Sequence, residues 1–234
     1  LILLSFSLLS LLGLVFPLGV SGATTEEVVL DSYDSSNQSN LFVVSEVHPS
    51  TTTGDSANFQ TFRIGGGTGT YRATVARFYL DRTNAPSGNL AVQIYTATSQ
   101  TIDNALPDTL LGESGYVSMA SLPVSPLASA VFSFTFNTTN QPILSGNTVY
   151  VLAIIAKSAT VLDTTDAVRV GNDNTSGTHA GRCGLYDSGG WGLCNSAFDL
   201  VFILLGNQVD AGGGGAEADR METSLRTTSH LFRL

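Results

Sequence analysis

From Glu26 onward the chain is written in short runs of alternating apolar and polar residues, separated by clusters of Gly, Pro, Asn and Ser. VFSFTF is the cleanest run: Phe132, Phe134 and Phe136 fall on one side of an extended backbone, Ser133 and Thr135 on the other. Side chains of a strand point to opposite faces with a period of two, so this pattern suits a sheet with one buried and one wet face. The breaks carry turn chemistry. Gly65, Gly66 and Gly67 follow Ile64; Asn84, Pro86, Ser87 and Gly88 separate Leu80 from Leu90; Ser145, Gly146 and Asn147 precede Val149. Glycine supplies positive φ and proline presets φ, which predicts reversals between antiparallel strands.

Ten strands are expected: Val28 to Tyr33, Leu41 to Val44, Phe59 to Ile64, Thr74 to Leu80, Leu90 to Thr96, Gly115 to Met119, Val131 to Phe136, Val149 to Ala156, Ala167 to Gly171 and Phe198 to Leu205. About ten short strands with no helical period of useful length predict an all-β, antiparallel β-sandwich. Val149 to Ala156 and Val201 to Leu205 are nearly continuous apolar runs, as expected of central strands covered on both sides.

The start and end of the chain have a different character. Residues 1–22 are an uncharged Leu-rich run that ends in small residues. A signal peptidase would cut after Gly22, with Val20 three back, or after Ala23, with Ser21 three back. About 20 apolar residues also span a bilayer, so residues 1–23 are expected to be a signal peptide or a retained hydrophobic segment. Residues 24–206 are expected to form one β-sandwich domain, and 207–234, with Gly212 to Gly215, a Gly-rich flexible tail. Membrane contact is expected only through residues 1–22, if they are retained.

Charged residues are 12% of the chain against a hydrophobic share of 43%, so it has material for a core and a surface of Ser, Thr, Asn and Gly. The formal net charge is −9 and Lys157 is the only lysine. Capture of nucleic acid needs clustered cations that displace counterions from phosphates, and this composition argues against nucleic acid and anionic membranes as partners. Secretion or display at the cell surface is the location expected.

Cys183 and Cys194 stand with ten residues between them in RCGLYDSGGWGLCN, and in an oxidising compartment they are expected to form a disulfide. Trp191 lies inside that loop with Tyr186. It is expected to be either a hydrophobic lid at one end of the sandwich or a ring that stacks on a sugar face, with Asp187 and Asn195 as hydrogen-bond partners. Asp31, Asp34, Asp173 and Asp199, with Asn37, Asn172 and Asn174, carry hard oxygens that suit a structural calcium ion, which takes about six to eight donors. The same residues also cap turns through their own backbone without any ion.

Asn37, Asn137 and Asn174 each begin an N-x-Ser/Thr sequon and are candidate N-glycosylation sites. No nucleophile elbow surrounds any Ser, and His48, His179 and His230 are expected to be solvated surface residues. Asp81, Glu113, Asp163, Asp166 and Asp199 supply carboxylates, but spacing in sequence does not show which of them converge as a glycosidase pair requires. No catalytic residue is assigned.

VLDSYDSSNQSN (residues 29–40), FQTFRI (59–64), ATVARFYLDRTNAPSGNLAVQIYTAT (73–98) and FDLVFILLG (198–206) resemble the choice-of-anchor R domain of secreted and surface microbial proteins. The resemblance covers about Val28 to Gly206 and is clearest in FYLDRTNAPSGNLAVQIYTAT, where strand, Pro/Gly turn and strand follow the family's order. It implies a jelly-roll sandwich and an extracellular setting, and carries over no catalytic residues. The function expected is an exported, non-catalytic cell-surface or extracellular module with an adhesive or structural role. Two alternatives stand beside it: a carbohydrate-binding module using the Trp191 loop, and a subunit of an extracellular filament or surface layer. The partners expected are glycans, other surface proteins or copies of the same chain.

Overall fold

Fifteen strands form where turn residues delimit runs that bury one face, and among the described residues there is no α-helix. The computed structural model describes residues 27–34, 36, 38–43, 56–65, 67–125, 130–157, 166–175, 177–187, 190–194 and 198–209. In chain order the strands are β1 (Glu27–Tyr33), β2 (Asn40–Val43), β3 (Ser56–Arg63), β4 (Thr70–Arg82) and β5 (Asn89–Ala97). They continue with β6 (Pro107–Glu113), β7 (Val117–Ser118), β8 (Ala130–Thr135), β9 (Ile143–Ser145) and β10 (Val149–Lys157). The last are β11 (Val168–Asp173), β12 (Cys183–Asp187), β13 (Gly190–Leu193), β14 (Asp199–Leu200) and β15 (Phe202–Val209). The expected leader, His48, Asn37, Asp163, Asn195 and nearly all of the tail, with His230, lie outside the described residues.

Two sheets face each other. The first runs β1-β15-β4-β11-β14, with β2 on β11 and with β8 and β9 on β4; the second runs β13-β12-β3-β10-β5-β6, with β7 on β5. Strand after strand the chain crosses between them: β3 is in the second sheet, β4 in the first, β5 in the second, β10 in the second, β11 in the first. The architecture is an antiparallel sandwich of the jelly-roll-like kind, as expected. The turns fall where glycine and asparagine allowed them, with positive φ at Gly67, Asn84, Gly88 and Asn147.

Alternation places the core. Phe134 on β8 and Phe136 just after it are buried and Phe132 packs against the same cluster, while Ser133 and Thr135 are exposed. Phe132 and Phe202 lie opposite Phe78 from either side of β4, and the Phe78 ring meets Phe134 edge-on at 6.3 Å. At one flank the sheets touch: the Gly115 amide donates to the Thr135 carbonyl at 2.8 Å.

The strand count exceeds the ten expected for three reasons, the first being that the run Phe198 to Leu205 divides at Val201 into β14 and β15. β6 and β9 are largely exposed, so they show no apolar stripe, and β12 with β13 forms a hairpin inside the segment expected to be a loop. The run Gly115 to Met119 holds only the two residues of β7 before a single 3-10 turn. β10 meets its expectation as a central strand: Tyr150, Leu152, Ile154 and Ala156 face the inter-sheet core, and Val151, Ala153 and Ile155 face a second apolar cluster on the sheet's outer side.

Candidate functional site

Two clusters outside the main core hold the chemistry of this chain, and both are built on β3. The first is polar. Gln60 shares the inward parity of Phe62 and Ile64, so an amide enters the sandwich where the pattern otherwise supplies apolar side chains. Its Nε2 donates to Asp199 Oδ1 at 2.9 Å and contacts His179 Nδ1 at 3.2 Å; its Oε1 accepts from the Leu200 amide at 2.9 Å. The Gly181 amide donates to His179 Nδ1 at 2.9 Å. An Nδ1 that accepts these bonds leaves the ring hydrogen on Nε2, which faces both Asp31 oxygens at 3.3 Å.

Around that ring the strands of the first sheet close in. Tyr33 and Phe202 flank His179 edge-on at 5.9 and 5.4 Å between ring centres. The Tyr33 hydroxyl donates to Asp173 Oδ2 at 2.8 Å, and Asp173 also accepts from Ser39 Oγ and from the amide and hydroxyl of Thr175. The Thr175 amide, then the Tyr33 hydroxyl, hold the Asp173 carboxyl far below its usual range. Burial pushes Asp199 the other way, against the Gln60 and His179 bonds. Burial likewise raises the Tyr33 phenol.

This arrangement corrects one expectation and refines another. The His179 side chain is only 6% exposed, not a solvated surface group, because Tyr33, Phe202 and Gln60 enclose it. Asp31, Asp173 and Asp199, expected as calcium ligands, do gather at one end of the sandwich, but each is met by donors of the chain itself. Asp34 turns to the Ser36 amide at 3.0 Å. Among the described residues no group of three or more His, Cys, Asp and Glu is placed to hold a metal ion. The sequons sit in different settings: Asn137 is exposed after β8, and the Asn174 backbone amide donates to Ser39 Oγ at 2.9 Å.

The second cluster is aromatic and lies on the outer face of the second sheet. Phe59, next to Gln60 on β3, points away from the sandwich yet is fully buried, with Val151 and Ala153 beside it. Its cover is Trp191, whose ring meets Phe59 at 5.5 Å, Tyr95 at 5.9 Å and Tyr186 at 4.9 Å, each edge-on. Trp191 is on β13 and Tyr95 on β5, four strand steps away. In a flat sheet that separation is about 19 Å at some 4.8 Å per step. The sheet therefore curls, and the β12–β13 hairpin folds over its own outer face.

Glycine permits the fold-over: a Cβ on Gly184 would lie 2.1 Å from the Phe59 ring. Trp191 thus lids the face of a sheet rather than an end of the sandwich, and it stays partly exposed. Polar groups border it. The Tyr95 hydroxyl donates to Gln93 Oε1 and Gln93 Nε2 to Glu113, while Lys157 pairs with Glu113 at 3.1 Å. Against the cost of burial, Gln93, Lys157 and Tyr116 together hold the Glu113 carboxyl below its usual range. Asp187 is opposite Gly190 in the hairpin backbone.

At the base of the hairpin Cys183 and Cys194 are free thiols, the first buried and the second half-buried. Sequence reasoning missed Gln60, Tyr33, Phe59 and Tyr95 as members of these clusters. The one available signal was Gln60 itself, a polar residue on the inward stripe of FQTFRI.

Comparison of the chain with protein-family models, curated proteins and solved structures gives no match. Among the described residues no helix is long and apolar enough to cross a membrane.

Proposed function

We propose that this chain is an exported, non-catalytic β-sandwich module of the cell surface or extracellular matrix, with an adhesive or structural role, and a member of the choice-of-anchor R domain family. The observation that carries this reading is the saturation of the His179 cluster. A general base needs a nitrogen within reach of a substrate proton; here Nδ1 accepts from Gly181 and Nε2 faces Asp31. The groups that elsewhere do acid–base chemistry here tie β1, β3, β11 and β14 together. The hydroxyl-rich outer face of β8 fits an extracellular surface with few charges.

The test is export followed by assay. The full chain, expressed in a secreting host, is expected in the medium or on cells in a protease-accessible form, with no turnover of a polysaccharide and ester panel. Retention in the cytosol, or hydrolysis that His179→Ala abolishes, would overturn the reading.

The half-exposed Trp191 beside Tyr95, Tyr186 and the Gln93–Glu113–Lys157 network supports a second reading, glycan binding at the outer face of the second sheet. A glycan array probed with the wild type and Trp191→Ala separates the two: binding lost in the variant favours the glycan site, and an array with no binding removes it.

A further inference from the structure

The β12–β13 hairpin ends in a thiol pair. Gly184 stands opposite Leu193, so the next position sets Cys183 against Cys194, and the Cys194 amide donates to the Cys183 carbonyl at 2.9 Å. Opposed residues that share such a ladder bond lie about 5.5 Å apart between Cα atoms, a span that disulfides bridge.

The two sulfurs are not equivalent. Cys183 has no exposure and Cys194 is half-buried, and the Arg182 guanidinium, whose Nη2 donates to the Cys194 carbonyl at 2.7 Å, sits beside the more accessible of the two. A reagent therefore reaches Cys194 first, with the guanidinium nearby to favour its thiolate, whereas Cys183 is shut away from solvent.

We propose that Cys194 is the entry thiol of a thiol–disulfide exchange site and Cys183 its resolving partner, together closing a cross-strand staple at the open end of the Trp191 hairpin. The oxidant is a disulfide carrier, either a small-molecule disulfide or an oxidoreductase. Cys194 thiolate attacks one carrier sulfur, the carrier S–S bond breaks, and the first carrier thiolate leaves. Cys183 then loses its proton to solvent and attacks Cys194 Sγ, releasing the second carrier thiolate. The protein gives up two electrons and two protons, and the carrier disulfide is reduced to two thiols. Among the described strands β13 pairs only with β12, so the staple fastens an edge strand that otherwise rests on four residue pairs and on Trp191.

Glutathione disulfide added to the reduced full chain, followed by intact mass, tests this. The wild type is expected to lose two hydrogens with at most a transient glutathione adduct. Cys183→Ser should stop at a stable mixed disulfide on Cys194, and Cys194→Ser should acquire an adduct at least about tenfold more slowly. Brief alkylation of the reduced wild type, read by peptide mass, gives an answer that depends on no variant: Cys194 is expected to be labelled before Cys183. Equal labelling, a stable adduct on the wild type, or a wild type inert to glutathione disulfide would each overturn the proposal.

Discussion

Phe59 and Gln60 are neighbours in sequence, and they anchor two clusters that hold the same strand by opposite physics. Gln60 faces inward and links β3 to β14 and to the loop carrying His179, through bonds whose value lies in leaving no buried polar group unmet. Phe59 faces outward and is covered by a hairpin of its own sheet, through apolar contact alone. The difference shows where this molecule has room to interact. The imidazole and carboxylates of the polar cluster find their partners within the chain, whereas the aromatic cluster is capped by a half-exposed ring on an edge strand.

Removing the aromatic anchor should have the largest effect. Phe59→Ala is expected to cost about 3–5 kcal/mol in urea denaturation, with Trp191 emission shifting to the red as its cover loosens; a loss under about 1 kcal/mol would mean that the hairpin does not rest on Phe59. Next comes the polar hub. Gln60→Leu keeps the volume but strands the Leu200 amide and one Asp199 oxygen, so roughly 2–3 kcal/mol should be lost while Trp191 emission stays unchanged. A red shift in that variant would show that the clusters are coupled across β3.

Acid should then distinguish the two carboxylates within the polar cluster. Asp173 is depressed in the folded state, so its contribution is present above the ordinary value of 3.8 and is lost as pH falls below it. Asp199 is raised, so its contribution has the opposite sign: it is present at low pH and is lost as pH rises through its folded value, above 3.8. Melting temperatures across this range should fall less steeply toward acid in Asp173→Asn, and more steeply in Asp199→Asn, than in the wild type. Parallel curves for all three proteins would sink the assignment. The smallest effect is expected at the border of the aromatic cluster, where Lys157→Met removes a partly exposed ion pair and should change stability by no more than about 1 kcal/mol. A larger loss would place the Gln93–Glu113 network among the supports of the lid.

Much of the scaffold was legible from local pattern. The Phe132–Phe136 stripe, the buried run from Val149 to Ala156 and the turns at Asn84 to Gly88 and at Asn147 all stand where periodicity and turn chemistry put them. β6 and β9 escaped because edge strands with little burial carry no apolar stripe. The hairpin β12–β13 escaped because GLYDSGGWGL mixes glycines and aromatics without alternation, and its pairing is explained only by the curled surface it covers. The sites were less visible. That Asp31, Asp173 and Asp199 are polar and clustered at turns could be read directly, but their gathering at His179 depends on Gln60, contributed from the other sheet.

What this sequence determines by itself is the set of faces: a period of two assigns each strand an inner and an outer side, because side-chain direction follows from the local backbone. What only the tertiary structure decided is which faces meet. His179 lies 119 positions from Gln60 and 148 from Asp31, and Trp191 reaches Tyr95 only through the curl of a whole sheet. Those contacts arise from strand order and sheet curvature, which many segments set jointly and no single run of residues encodes.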